Sequence, residues 1–373
     1  MHSDKKIHSM RNILSLSIFV LLSFFAVGQM NPCLTRNAHM QQKVDSAIVA
    51  LCDRIDGAPF SFYPNKEPWI LEHYLCRDEL ATLADTHANA NVRAVAVWCL
   101  MCRYPNFSKG ELFKHVVESD WVNIGGFCVL AKKTVGDFLI EKAVDNLTLT
   151  LQDWRTIDSV LVHSEQAYNV GRRHWLVENL EHNDYYTQLM RRLATNPDDF
   201  AALNYLVSNP EDVDTSLVIN ALREAFSPRI VAMNKRQYRL QMPRMEHSVY
   251  MIRNWYHPAF RRCLQQQRDT LLATVGFLPE ELFRCAFVYE EEWIKSFVND
   301  TFAYLEKNDS AEGKKKLKQT AGSLYRAVDS IKRYNGNGTL KASSCISTKL
   351  FLSTESDYPL DSYLLNIAKS YLE

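Results

Sequence analysis

Glycine and proline are scarce in this chain, 12 of each among 373 residues, roughly half the combined share of about 12% in ordinary proteins. That shortage, taken with an apolar content of 47%, excludes collagen-like, low-complexity and disordered chains and disfavours a sandwich of short strands joined by tight turns. Charge of one sign is also missing, because 43 Lys and Arg stand against 43 Asp and Glu. A chain this balanced lacks the broad positive field that holds nucleic acid or an anionic membrane surface, so neither is expected as a partner. Cysteine, nine residues in all, is too sparse for a disulfide scaffold, and an odd number leaves at least one thiol unpaired.

Long apolar runs are missing too. Residues 13–27 are apolar but interrupted by Ser15, Ser17 and Ser23, and they fall short of the roughly 20 residues that cross a bilayer. Lys5, Lys6 and Arg11 precede this stretch and Ala26-Val27-Gly28 follows it. Charge, apolar core and small-residue exit in that order form a secretory signal. Residues 1–28 are therefore expected to be removed, leaving 29–373 secreted or periplasmic, soluble, and without stable membrane insertion. Asn31 and Pro32 before Cys33 do not form a lipidation site.

Motifs of familiar enzymes do not occur. The chain has no His-Glu-x-x-His helix, Gly-x-Ser-x-Gly elbow, Gly-rich phosphate loop or EF-hand loop. No catalytic residue, metal site or cofactor is expected on this basis. Cys99 and Cys102 have CxxC spacing, but they fall inside a helical pattern with no second such pair, and they read as packing. His73 and Cys76, three apart and equally without a partner pair, read the same way.

What is present is helical periodicity. A first helix is expected over 34–56, then a connector over 57–65 broken by Gly57, Pro59 and Pro64, so that 29–66 forms an N-terminal helix and connector. From Pro68 onward apolar residues recur at three and four. The clearest stretch is 79–100. A short helix presents Leu80, Leu83 and Ala84, a polar turn follows over 85–91, and a second helix places Val92, Val95, Ala96, Cys99 and Leu100 on one face. Ala94, Val97, Trp98 and Met101 make its opposite face apolar as well, so this helix must be covered on both sides.

The turn followed by Val92-Arg93, Ala96 and Leu100 resembles the second helix of a HEAT repeat, with Asn89 where the family has Asp and Ala90 where it has a turn proline. The rest of the chain is similar to HEAT-repeat-like, armadillo-type exported proteins of the Bacteroidetes, in which one clear unit is followed by degenerate helix pairs. The segment 112–138 and the helix start at His257-Pro258-Ala259-Phe260 carry that impression further. The resemblance implies an all-α fold, an α-solenoid of stacked helical hairpins over 67–373 with C-terminal capping helices. It implies no activity. It also implies that Arg93 is structural and bonds the turn of a neighbouring unit, with Asp85 or Asn89 as the expected partner.

Further pairs are expected at 154–161 with 172–180, at 185–194 with 200–207, and at 213–226, stopped by Pro228. Long helical windows follow at 258–275 and 279–305. A polar region at 307–318 and a Gly/Asn turn at 335–338 separate the terminal helices, the last at 361–372.

Two clusters are candidate binding residues. Arg172, Arg173 and His174, bracketed by His163 and His182, could line a polar groove. Trp255, Tyr256 and His257, beside Arg253 and Glu246-His247, form the aromatic and basic mixture that interfaces favour. The leading expectation is an exported, non-catalytic binding or scaffold protein whose helical surface takes a protein or peptide partner. The alternative is an enzyme or accessory subunit with a site between helices that draws together His163, His174, His182, His247 and His257.

Overall fold

The computed structural model describes residues 36–52, 66–126, 129–233, 235–336 and 359–372. The expected signal at 1–28 and connector at 57–65 lie outside these residues, as do Cys33, Cys128, Cys345 and the end of the expected turn at 335–338. The described chain is all-α apart from one β-hairpin. It divides into two compact units, one ending at Arg173 and one beginning at His174.

The first unit contains α1 (Ala38–Cys52), α2 (Lys66–Tyr74), α3 (Arg77–Thr86), α4 (Ala90–Arg103) and α5 (Pro105–His115). After the hairpin β1 (Trp121–Gly126) and β2 (Val129–Thr134) come α6 (Val135–Asn146) and α7 (Leu151–His163). Helix α4 is its centre. Val92, Ala94, Val95, Ala96, Val97, Cys99, Leu100 and Met101 are all buried, and the helix packs against α1, α2, α3, α5, α6 and β1. Asn89 caps it by accepting the Asn91 N–H at 2.9 Å, which satisfies one of the otherwise open amides at a helix start. Trp98 meets Phe138 of α6 edge-on.

Residues 121–134 depart from the helical expectation for the 112–138 segment. They form an antiparallel ladder in which Trp121 pairs with Thr134 and Val122 with Lys133. Trp121, Val122, Ile124, Val129 and Leu130 favour extended backbone. Beyond the hairpin, Gly136 sits where a Cβ would stand 2.2 Å from the carbonyl oxygen of Val116. Glycine is required there because the backbone after α5 passes directly over the start of α6.

The chain enters the second unit within α8 (Gly171–Glu178). That unit holds α9 (Asp184–Leu193), α10 (Phe200–Ser208), α11 (Thr215–Ala225), the short α12 (Pro228–Val231), α13 (Lys235–Asn254), α14 (Pro258–Thr274), α15 (Glu280–Ala286), α16 (Glu291–Leu305), α17 (Ala311–Gly336) and α18 (Pro359–Leu372). Helices near in sequence pack on one another: α9 on α10, α11 on both α13 and α14, α13 on α15, α15 on α17, and α17 on α18. Phe226, Phe260, Phe283 and Phe297 are its largest fully buried apolar side chains.

Helix α11 ends at Ala225, before Pro228 as expected, and Pro228 then takes the first position of α12, where its missing N–H costs nothing. Other boundaries differ from the sequence expectation. The 279–305 window is two helices interrupted at 287–290. Helix α13 runs through Pro243, and α17 takes in both the Lys-rich segment and Gly336. At the end of α14 the chain turns through Gly276 at φ 82°, with its N–H on the Leu271 carbonyl at 2.8 Å. This left-handed residue closes the helix as glycine commonly does.

Candidate functional site

The residues picked out by sequence separate into different settings. In the first unit Arg172 is half-buried, pairs with Asp158 at 2.6 Å and lies over the Trp154 ring at 4.7 Å. Arg173 is fully buried. The backbone at the start of α8 is held by Asp137, whose carboxylate accepts the N–H groups of Gly171 and Arg172. His174 belongs to the second unit.

In that unit Trp255 is buried against the edge of Phe260. His257 is the N-cap of α14, its Nδ1 accepting the Ala259 N–H at 3.2 Å while Nε2 faces Asp212 at 3.7 Å. Tyr256 is exposed and donates its hydroxyl to Glu290 at 2.5 Å. Glu290 also takes Arg261 at 2.7 Å. The Tyr256 ring meets Tyr289, and Tyr289 meets Trp293.

Of the five histidines, one lies in the first unit and four in the second. His163 belongs to the first unit, where its Nδ1 bonds the Ser159 carbonyl at 2.7 Å. In the second unit His182 stacks on Tyr205, and His247 stacks on Phe200 and bonds Asn204 at 2.6 Å. Burial, with His174 nearby, brings His247 down to about 3, which keeps the ring neutral. Its Nδ1 is buried without a hydrogen-bond partner.

Arg93 is built into its surroundings, but not through Asp85 or Asn89. Its Nε donates to Glu118 at 2.9 Å, one terminal nitrogen donates to the carbonyls of His87 and Ala88, and the other reaches Asp120 at 2.5 Å. Asn89 is occupied with capping α4, and Asp85 pairs with Lys114 and His115. The turn that Arg93 bonds is the one directly before its own helix, not that of a neighbouring unit, and the carboxylates come from the loop after α5.

A groove of about 500 Å³ lies between α11 and α14. Ile219 and Arg223, four apart on α11, form one wall. Ala259, Arg262, Cys263 and Gln266, at helical spacing on α14, form the other, with Pro258 at its mouth. Arg223 and Arg262 are exposed, and no carboxylate pairs with either among the described residues. Their neighbour Arg261, by contrast, is committed to Glu290. Burial pushes the Cys263 thiol up to about 11 against the pull of Arg223, so it stays protonated. The groove thus offers two fixed positive charges, a short aliphatic lining and a neutral amide.

Sequence reasoning missed Arg223 and Arg262. Their spacing is unremarkable, and only the lack of an ion pair among the described residues separates them from the many paired arginines of this chain. Compared with known proteins, no family model, curated protein or solved structure matches this chain.

Proposed function

We propose that this protein is an exported, non-catalytic binding protein built from degenerate HEAT-like helical hairpins, and that the groove between α11 and α14 takes an acidic segment of a protein or peptide. The observation that carries this reading is the pair of arginines, Arg223 and Arg262, facing one groove without ion-pair partners. Two guanidinium groups left open beside an apolar wall favour carboxylates flanked by small aliphatic side chains. The N-terminus of α14, at the same groove, adds a favourable field for negative charge. A wall of guanidinium groups, an amide and aliphatic side chains suits capture better than turnover.

Export is supported by Cys76, which is disulfide-bonded, since such bonds persist in oxidising compartments. The repeat architecture is supported by α4, which buries apolar side chains on two opposite faces, and by the packing of successive helices on near neighbours.

Fluorescence anisotropy of a labelled decapeptide of alternating Glu and Ala tests the reading on the full chain. Binding is expected to weaken as salt rises and to fall at least tenfold in Arg223→Glu and in Arg262→Glu. The Lys-for-Glu peptide is expected not to bind. Equal binding of both peptides, or indifference to both charge reversals, would overturn the proposal.

A further inference from the structure

Helix α5 places Glu111 and His115 four residues apart, on one face. His115 is almost entirely buried, its side chain 6% exposed. Its Nδ1 meets Glu118 Oε1 at 2.5 Å, and Glu118 is in turn fixed by Arg93. The other ring nitrogen, Nε2, faces two carboxylates: Asp85 Oδ1, from the end of α3, at 3.0 Å and Glu111 Oε2 at 3.5 Å. Glu111 Oε2 is buried and makes no hydrogen bond. One nitrogen and two carboxylate oxygens therefore lie within 4.8 Å of one another.

We infer that Asp85, Glu111 and His115 form a binding site for a divalent transition-metal ion of the zinc type. Tetrahedral ligands at zinc bond lengths of about 2.0–2.2 Å stand about 3.4 Å apart, close to the two separations seen here. Glu118 accepts a hydrogen bond from the Nδ1–H and so turns the Nε2 lone pair toward the carboxylates, the role an outer carboxylate plays behind a metal-bound histidine. One imidazole with two carboxylates suits zinc and its neighbours. Calcium and magnesium prefer oxygen ligands throughout. A fourth position remains for water, because the chain supplies three ligands.

Without metal, positive charge comes from within the protein: Lys114 lies on Asp85, and His115 bonds both flanking carboxylates. Lys114 is half exposed and can swing into solvent. It is the group that a metal ion would displace. The site was hidden in the sequence because Asp85 stands 26 residues before Glu111 and 30 before His115, so no compact motif marks it.

The test is Zn²⁺ titration of the untagged full chain, stripped with a chelator and followed by calorimetry and thermal melting. One Zn²⁺ per chain is expected, with a rise in melting temperature, and millimolar Mg²⁺ or Ca²⁺ should not displace it. His115→Gln should abolish binding, Asp85→Asn and Glu111→Gln should each weaken it at least tenfold, and Glu118→Gln should weaken it while leaving the stoichiometry at one. Lys114→Met should tighten binding severalfold, a change of opposite sign that misfolding cannot imitate. Absence of Zn²⁺ binding by the native chain, or affinity unchanged in both His115→Gln and Lys114→Met, would overturn the assignment.

Discussion

Arg93 and Glu118 meet at 2.9 Å across 25 residues of sequence, joining the first turn of α4 to the loop that leaves α5. Both side chains are largely buried, 13% and 16% exposed. The same Arg93 holds the carbonyls of the turn before α4, so one side chain fixes three segments.

Arg93→Ala would leave Glu118 buried beside open carbonyls, and breaking such a buried pair typically costs about 3 kcal/mol. Lys314, on the exposed side of α17 and paired only with exposed Asp309, should contribute little. The melting temperature of Arg93→Ala is expected to fall by several degrees and that of Lys314→Ala to remain near the native value. Equal melting temperatures would remove the structural role of Arg93.

Gly136→Ala should destabilise by a different route. The new methyl group would meet backbone, the Val116 carbonyl, and beyond it the Val170 side chain. The carbonyl cannot move without displacing the loop after α5, so a loss of about 2 kcal/mol or more is expected. Chemical denaturation of the variant beside Gly110→Ala, whose site has open space around it, provides the comparison.

His247 should make the second unit acid-sensitive. Its folded value, brought down to about 3 by burial and by His174, lies below the ordinary value of about 6.5 for an unfolded histidine. The unfolded chain therefore takes up a proton that the native ring refuses, and stability contributed by the neutral ring is complete above about pH 6.5 and declines as pH falls toward 3. His247→Phe keeps a flat ring against Phe200 and removes that titration. Melting temperature should vary less steeply between pH 6 and pH 4 in the variant than in the native chain; parallel curves would refute this.

Thiol reactivity should follow burial. Cys99, Cys263 and Cys285 are buried, and burial pushes all three thiols up. They are expected to resist alkylation at pH 7.5 in the native chain and to react once it is unfolded. Cys76, being disulfide-bonded, should stay unmodified in denaturant until a reductant is added. Peptide mapping by mass spectrometry distinguishes these sites, and early labelling of Cys76 would count against both the bond and the export reading it supports.

Legibility differed from element to element for physical reasons. Helix α4 was readable because its period, its Asn89 cap and its unbroken apolar surface all point the same way. Helix α13 was not, since Pro243 interrupts the expected ladder and charged residues crowd its first half. Its packing against α10, α11 and α15 supplies what its local sequence withholds. The hairpin at 121–134 was read as part of a helical pair because two six-residue strands are too short to outweigh the helical pattern on either side.

Local sequence, then, determined where most helices form, because capping residues and apolar periodicity act within a few positions of one another. It also determined that Arg93 had to find partners, since a guanidinium in so apolar a helix cannot remain unpaired. Tertiary structure alone decided which partners: Glu118 and Asp120 for Arg93, no carboxylate among the described residues for Arg223 and Arg262, and Asp85, Glu111 and Glu118 around His115. Whether a charge is neutralised, left open or gathered into a site depends on which side chains distant in sequence arrive within a few ångströms. That distance is set by packing and by no local pattern.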